Sequence, residues 1–116
     1  KNPHLIMGLS TSARSGLHGL SKALSREVAQ YNITINNVLP ERIDTDRQTQ
    51  ILNFQAKLAD STYEKAKEEL EETLTAKRMG TVEEFSGICT FLCSQQAAYI
   101  SGQNISVDGG NSTNLI

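Results

Sequence analysis

Leu5, Leu9, Ala13, Leu17, Leu20, Leu24, Val28 and Tyr31 recur at steps of three and four. Residues at that spacing share one side of a helix, so the pattern predicts a long helix over 3–31 carrying a continuous apolar stripe. Pro3 suits its first turn, where a missing N–H costs nothing. Gly8, Gly16 and Gly19 interrupt the run, and each weakens an isolated helix by about 1 kcal/mol relative to alanine. Their presence argues that another backbone or a ligand approaches this helix closely.

The period then changes. Ile33-Thr-Ile-Asn-Asn-Val-Leu39 is apolar and rich in β-branched residues, and Pro40 ends it, which predicts a buried strand. Asn36 and Asn37 are polar for such a strand and suggest side chains that bond nearby backbone. Beyond Glu41 the pattern loosens. Asp46 is placed to cap a helix running to about Leu58, and Ser61-x-x-Glu64 and Thr81-x-x-Glu84 both match the capping box. Residues 60–77 read as a charged helix whose apolar positions are Tyr63, Ala66, Leu70 and Leu74, with the acids at 68, 69, 71 and 72 forming a solvated face. A segment this polar between two well-specified elements resembles a mobile flap. Phe85, Ile88, Cys89 and Leu92 then give the core stripe of a helix from Val82 to Ser94. A turn over Gln95 to Tyr99 leads to a second strand within Ile100–Val107, with Ile105 and Val107 facing alike, and Asp108-Gly-Gly110 closes it at a turn.

Two parallel strands cannot make an independent sheet, because each expects neighbours and helices on both faces. The expectation is therefore the later half of an α/β domain whose first half precedes Lys1. Composition leaves this intact: 116 residues, 38% hydrophobic and 21% charged, fit a globular chain. A net charge of −2 without a basic cluster, and 5% aromatics, argue against a nucleic-acid partner. There is no signal-peptide pattern and no apolar run near the roughly 18 residues a membrane span requires. Cys89 and Cys93 are the only cysteines; they read as small reduced core residues of a cytoplasmic protein, with no further ligands to complete a metal site.

Five motifs in order resemble the carboxyl-terminal half of the short-chain dehydrogenase/reductase family, particularly its 3-oxoacyl-acyl-carrier-protein reductases. Gly16-Leu-His-Gly-Leu-Ser-Lys-Ala-Leu24 followed by Arg26-Glu27 is similar to the family's catalytic helix, and Ile33-Thr-Ile-Asn36 with Val38-Leu-Pro40 to I-x-V-N-x-V-x-P-G. Arg78-Met-Gly-Thr-Val-Glu-Glu84 resembles R-x-G-x-P-E-E, Phe91-Leu-Cys-Ser94 resembles F-L-x-S, and Tyr99-Ile-Ser-Gly102 with Val107-Asp-Gly-Gly110 resembles Y-I-T-G and V-D-G-G. The resemblance implies the carboxyl-terminal part of a Rossmann-like doubly wound parallel sheet over 1–116, with 41–77 as a substrate-side flap. It also implies an NADP or NAD cofactor, a carbonyl or acyl thioester substrate, hydride transfer, and a homo-dimer or homo-tetramer. These 116 residues alone are expected to be inactive, since the family's glycine-rich phosphate loop would lie upstream.

The resemblance also assigns site residues. The family's Y-x-x-x-K pair falls on Ser10 and Arg14, which become the catalytic candidates, with Arg14 also a candidate for the cofactor ribose. Ser10-Thr-Ser-Ala-Arg14 resembles the S-N-x-x-R version of a divergent branch. A tyrosine with a pKa of about 10 can be tuned toward neutrality by an ammonium; a serine hydroxyl is far less acidic. A non-catalytic homologue, binding cofactor as a partner subunit or sensor, is therefore the alternative expectation. Pro40, Glu41, Ile43 and Thr45 fall on the loop that runs beside the nicotinamide in the family, with Glu41 replacing a glycine. For Thr45 a helix N-cap and a cofactor contact stand as equal alternatives, and Asn36 reads as a structural strand-end residue.

Overall fold

The computed structural model describes residues 7–113. In chain order its elements are helix α1 (Gly8–Val28), strand β1 (Asn37–Pro40), helices α2 (Asp46–Leu58), α3 (Tyr63–Thr73) and α4 (Val82–Leu92), and strand β2 (Asn104–Val107). Short 3-10 turns at Ala29–Tyr31 and Gln95–Ala97 follow α1 and α4. The two strands form one sheet. The Asn37 N–H donates to the Gln103 carbonyl at 2.8 Å and the Glu41 N–H to Val107 at 3.2 Å, an equal advance along both strands that makes the pair parallel. Among the described residues no helix is long and apolar enough to cross a membrane. The chain divides into two compact units, one of residues 7–39, 87–106 and 112–113, the other of 40–86 and 107–111.

In the first unit, α1 forms over the predicted stretch, although Pro3 and Leu5 lie outside the described residues. Its inward side is not the leucine stripe. Ser21 and Ser25, one turn apart, are its buried residues, whereas Leu9 (92% exposed), Leu17, Leu20 and Leu24 face outward. The reason is steric. The Ser21 hydroxyl donates to Asn37 Oδ1 at 3.2 Å, and a Cβ added to Gly102 would stand 2.6 Å from Ser25 Oγ. Only small side chains allow the helix that close to the loop before β2. Gly8, Gly16 and Gly19 meet nothing within 4 Å, so no described part of this chain makes the close approach they suggested.

β1 begins four residues later than the apolar run and includes Pro40. Ahead of it, side chains supplement a backbone bond from the Gly102 N–H to the Ile35 carbonyl at 2.7 Å. The Asn36 carboxamide donates to the Ile100 carbonyl at 2.8 Å and accepts from the Gln103 N–H at 3.1 Å, while Ser101 Oγ accepts from the Ile35 N–H at 3.2 Å. Asn36 is thus the structural strand-end residue expected. Ile105 and Val107 alternate with more exposed neighbours on β2, and the four stripe residues of α4 are half-buried. α4 stops at Leu92 rather than Ser94, and Cys93 is exposed rather than part of the core, while Cys89 is half-buried; both are free thiols.

The second unit has the core of Leu52, Leu74 and Met79, against which Tyr63, Ala66 and Leu70 pack. The residues that looked like sparse apolar positions on a charged helix are those that hold α3 in place. One cap takes the Thr45 alternative over Asp46, and one differs from expectation. Thr45, not Asp46, caps α2, its hydroxyl accepting from the Gln48 N–H at 3.4 Å. Thr62, not Ser61, caps α3, accepting from Lys65 at 3.2 Å. Ser61 is committed to ending α2: its N–H returns to the Ala56 carbonyl at 2.9 Å around Asp60, which has a φ of 49°. The third cap forms as read. The Thr81 N–H donates to Glu84 Oε2 at 2.8 Å and the Glu84 N–H to Thr81 Oγ1 at 3.1 Å.

Arg78 adds a fork to this box, reaching Glu84 at 2.6 and 2.8 Å with its two terminal nitrogens. The guanidinium hydrogen bonds, with help from the Thr81 N–H, lower the Glu84 carboxyl from 4.5 to about 2. A carboxyl whose folded pKa is depressed stabilises the fold fully above its unfolded value and loses that contribution as pH falls through the folded one. The melting temperature should therefore fall more steeply between pH 4.5 and about 2 in the native chain than in Glu84→Gln, as thermal melts across that range would show. Urea unfolding should separate Leu52, 0% exposed, from Phe54, 63% exposed. Leu52→Ala should cost about 2–5 kcal/mol and Phe54→Ala within about 0.5 kcal/mol.

Candidate active site

Ser10 and Arg14 lie four residues apart on one side of α1, in the first unit. The Ser10 hydroxyl is half-buried and Arg14 is exposed, and among the described residues no carboxylate pairs with the Arg14 guanidinium. Arg14 is thus a cation available to an oxygen-rich ligand, and Ser10 a neutral donor one turn away. The pair offers a hydroxyl and a planar cation where the family has a phenol and an ammonium.

Pro40, Glu41, Ile43 and Thr45 belong to the second unit, where the chain leaves β1 and enters α2. A parallel bridge pairs Ile43 with Gly80. The Gly80 N–H donates to the Arg42 carbonyl at 2.8 Å and the Gly80 carbonyl accepts from the Asp44 N–H at 2.8 Å. In a parallel bridge of this kind the bonded groups are those of the residues flanking Ile43. The N–H and carbonyl of Ile43 itself point to the other edge, with no backbone partner among the described residues. Two residues on, the Thr45 hydroxyl accepts from Gln48, which leaves its own hydrogen free to donate. Two donors and an acceptor are thereby presented within three residues. The N-cap role of Thr45 and a ligand contact are compatible, since they use different capacities of one hydroxyl.

Glu41 is exposed, and its N–H is spent on Val107. Its side chain helps to line a cavity of about 190 Å³ with Arg42, Leu74, Val107 and Asp108. That is smaller than the roughly 300 Å³ at which pockets begin to enclose drug-sized ligands, so it cannot hold a dinucleotide. A larger cleft of about 900 Å³ in the first unit is lined by Thr34, Asn36 and Val38 and by Cys89 and Cys93. No candidate site residue lines it, and no cluster of three metal-ligating side chains occurs among the described residues.

Arg78, Gly80 and Glu84 are the residues that sequence reasoning left without a role at the site. Their signal was present in Arg78-Met-Gly80 leading into the Thr81-x-x-Glu84 capping box, but nothing in one dimension tells that the turn lies against Ile43.

Comparison with known proteins completes the assignment. The family model described as enoyl-(acyl carrier protein) reductase matches residues 6–112. The NADPH-dependent reductase BacG of Bacillus subtilis is 36% identical over 111 residues, covering 96% of this chain and 43% of BacG. The 3-oxoacyl-[acyl-carrier-protein] reductase MabA of Mycobacterium tuberculosis is 36% identical over 99 residues, 85% of this chain and 36% of that protein. The crystal structure of YwfH, an NADPH-dependent reductase involved in bacilysin biosynthesis, superposes with a TM-score of 0.88 at 34% identity, covering 98% of this chain and 43% of YwfH. The chain thus spans about two fifths of the length of the relatives it matches. Its α/β architecture is the Rossmann-like one of those structures, and the chain belongs to the short-chain dehydrogenase/reductase family.

Proposed function

We propose that these residues form the carboxyl-terminal half of a single Rossmann-like NADPH- or NADH-dependent oxidoreductase domain, with 41–77 as a flap on the substrate side. The reaction is hydride transfer between the nicotinamide and a carbonyl or alcohol, with a 3-oxoacyl thioester as the substrate class. The observation that carries this reading is the loop after β1, where the Ile43 N–H, the Ile43 carbonyl and the Thr45 hydroxyl stand free of backbone partners on their ligand-facing capacities. A carboxamide needs that complement of donors and acceptor. The dependence of BacG and YwfH on NADPH supports the choice of cofactor.

The nicotinamide, when bound, supplies the hydride. Ile43 and Thr45 orient its amide, and Arg14 bonds ribose hydroxyls with a charge that no protein carboxylate neutralises among the described residues. Ser10 donates a hydrogen bond to the substrate oxygen and holds it in place. The proton that completes carbonyl reduction must come from a group more acidic than a serine. The outward leucines of α1, with Gly16 and Gly19 open beside them, suit a second copy of the chain and so a homo-dimer or homo-tetramer.

A second reading is favoured by one observation, the Ser10/Arg14 pair at the positions of the family's tyrosine and lysine. It makes the protein a cofactor-binding partner subunit or sensor without turnover. The test is oxidation of NADPH and NADH by the full-length gene product that contains these residues, offered a short 3-oxoacyl thioester. Turnover is expected, with Arg14→Ala raising the cofactor KM roughly tenfold and Ser10→Ala lowering kcat. Cofactor binding without turnover across a panel of carbonyl substrates would instead establish the second reading. Thr45→Val should weaken NADPH binding and lower stability by about 1 kcal/mol through the lost cap, whereas Thr45→Ser should preserve both, as titration and melts on the same samples would report.

A further inference from the structure

We infer that Gly80, clamped by the Arg78–Glu84 fork, is the positioning residue that aims the Ile43 and Thr45 contacts at the nicotinamide. The inference rests on the reading of the 41–45 loop given under Proposed function and adds to it a residue that touches neither cofactor nor substrate.

Three observations carry it. Gly80 is hydrogen-bonded to the loop on both sides of Ile43, to Arg42 and to Asp44, each at 2.8 Å. With both flanking peptides fixed, the intervening residue has its N–H and carbonyl directed away from Gly80, so Gly80 sets the direction in which Ile43 presents them. A side chain at Gly80 would press on the residue it aims: a Cβ there would stand 2.9 Å from Ile43 Cδ1, so the Ile43 side chain would have to move. Its φ is not positive, so room, not backbone conformation, is what a side chain would lack.

The turn that presents Gly80 is itself fixed from both ends. On one side the Met79 side chain is buried in the core with Leu52 and Leu74. On the other, Thr81 and Glu84 cap α4 reciprocally, and the Arg78 fork closes over the same carboxylate while also bonding the Met79 carbonyl at 3.1 Å. A guanidinium can satisfy both carboxylate oxygens and still reach that carbonyl; an ammonium cannot hold the same planar geometry. A further tie, Lys67 to Asp44 at 3.8 Å, joins α3 to the loop's far end.

The experiment compares affinities of the full-length gene product for NADPH and for 2′-phospho-ADP-ribose, which lacks the nicotinamide ring, and likewise for NADH and ADP-ribose. Gly80→Val should weaken the intact dinucleotide roughly tenfold and leave the nicotinamide-free fragment unchanged. Adding Ile43→Ala, which removes the methyl that the valine meets, should restore most of the loss. Should Gly80→Val fail to fold, Arg78→Lys decides the matter, with the same split at smaller amplitude. A native protein that binds dinucleotide and fragment equally would remove the cofactor reading of the loop itself. A native protein that prefers the dinucleotide, with variants that keep the full preference or lose both ligands alike, would overturn the positioning role while leaving that reading in place.

Discussion

Two hydrogen bonds between a glycine and an extended loop hold the second unit in its arrangement. Gly80 lies between the Met79 side chain, which anchors the core, and the capping box that starts α4. Its backbone fastens the residues that lead from β1 into α2. The path of that loop decides where Thr45 falls, Thr45 starts α2, and α2 brings Leu52 against Leu74 and Met79. The contacts close into a ring. A disturbance at the bridge would therefore reach the hydrophobic core by way of a helix cap, and one in the core would reach the loop by way of Met79. This is cooperativity built from local pieces, each worth only about a kcal/mol or a few alone.

The first unit meets a different demand, since backbone polar groups near a strand must find partners even where the strand has not yet begun. Asn36 and Ser101 help to supply them, so that the segment from Ile35 to Asn37 runs alongside 100–104 with side-chain amide and hydroxyl groups added to the backbone bonds from Gly102 to Ile35 and from Asn37 to Gln103. The same economy of volume governs α1, which comes down on Gly102 through serines. A larger residue at 21 or 25 would lift the helix away from the sheet, whatever its hydrophobicity.

The order of elements was legible in the sequence because it depends on periodicity, and periodicity survives in a single chain. The apolar positions Tyr63, Ala66, Leu70 and Leu74 were legible for that reason, as was the Thr81–Glu84 box, whose partners are three residues apart. At α2 both Asp46 and Thr45 were legible as caps, and Thr45 takes the role; the cap at 62 was displaced by one residue because the choice depends on how the preceding segment ends, and the turn at Asp60 commits Ser61 elsewhere. The direction faced by α1 was not legible for a physical cause: a stripe of leucines marks a surface that calls for cover, but does not say which neighbour provides it. Of the candidate site, the loop residues follow from family resemblance. Gly80 could not be recognised as their support, because its partner Ile43 lies 37 positions earlier and the bond runs through backbone atoms common to every residue.

The open glycines of α1 change what its helicity means. Three glycines at about 1 kcal/mol each leave a helix that is marginal by itself, and the leucines beside them face away from the unit's interior. Order in this segment is therefore borrowed from whatever surface lies along the stripe. Amide hydrogen exchange in α1 would then report on whether that surface is in place more directly than on the packing of the unit itself, making the helix a built-in gauge of its own cover.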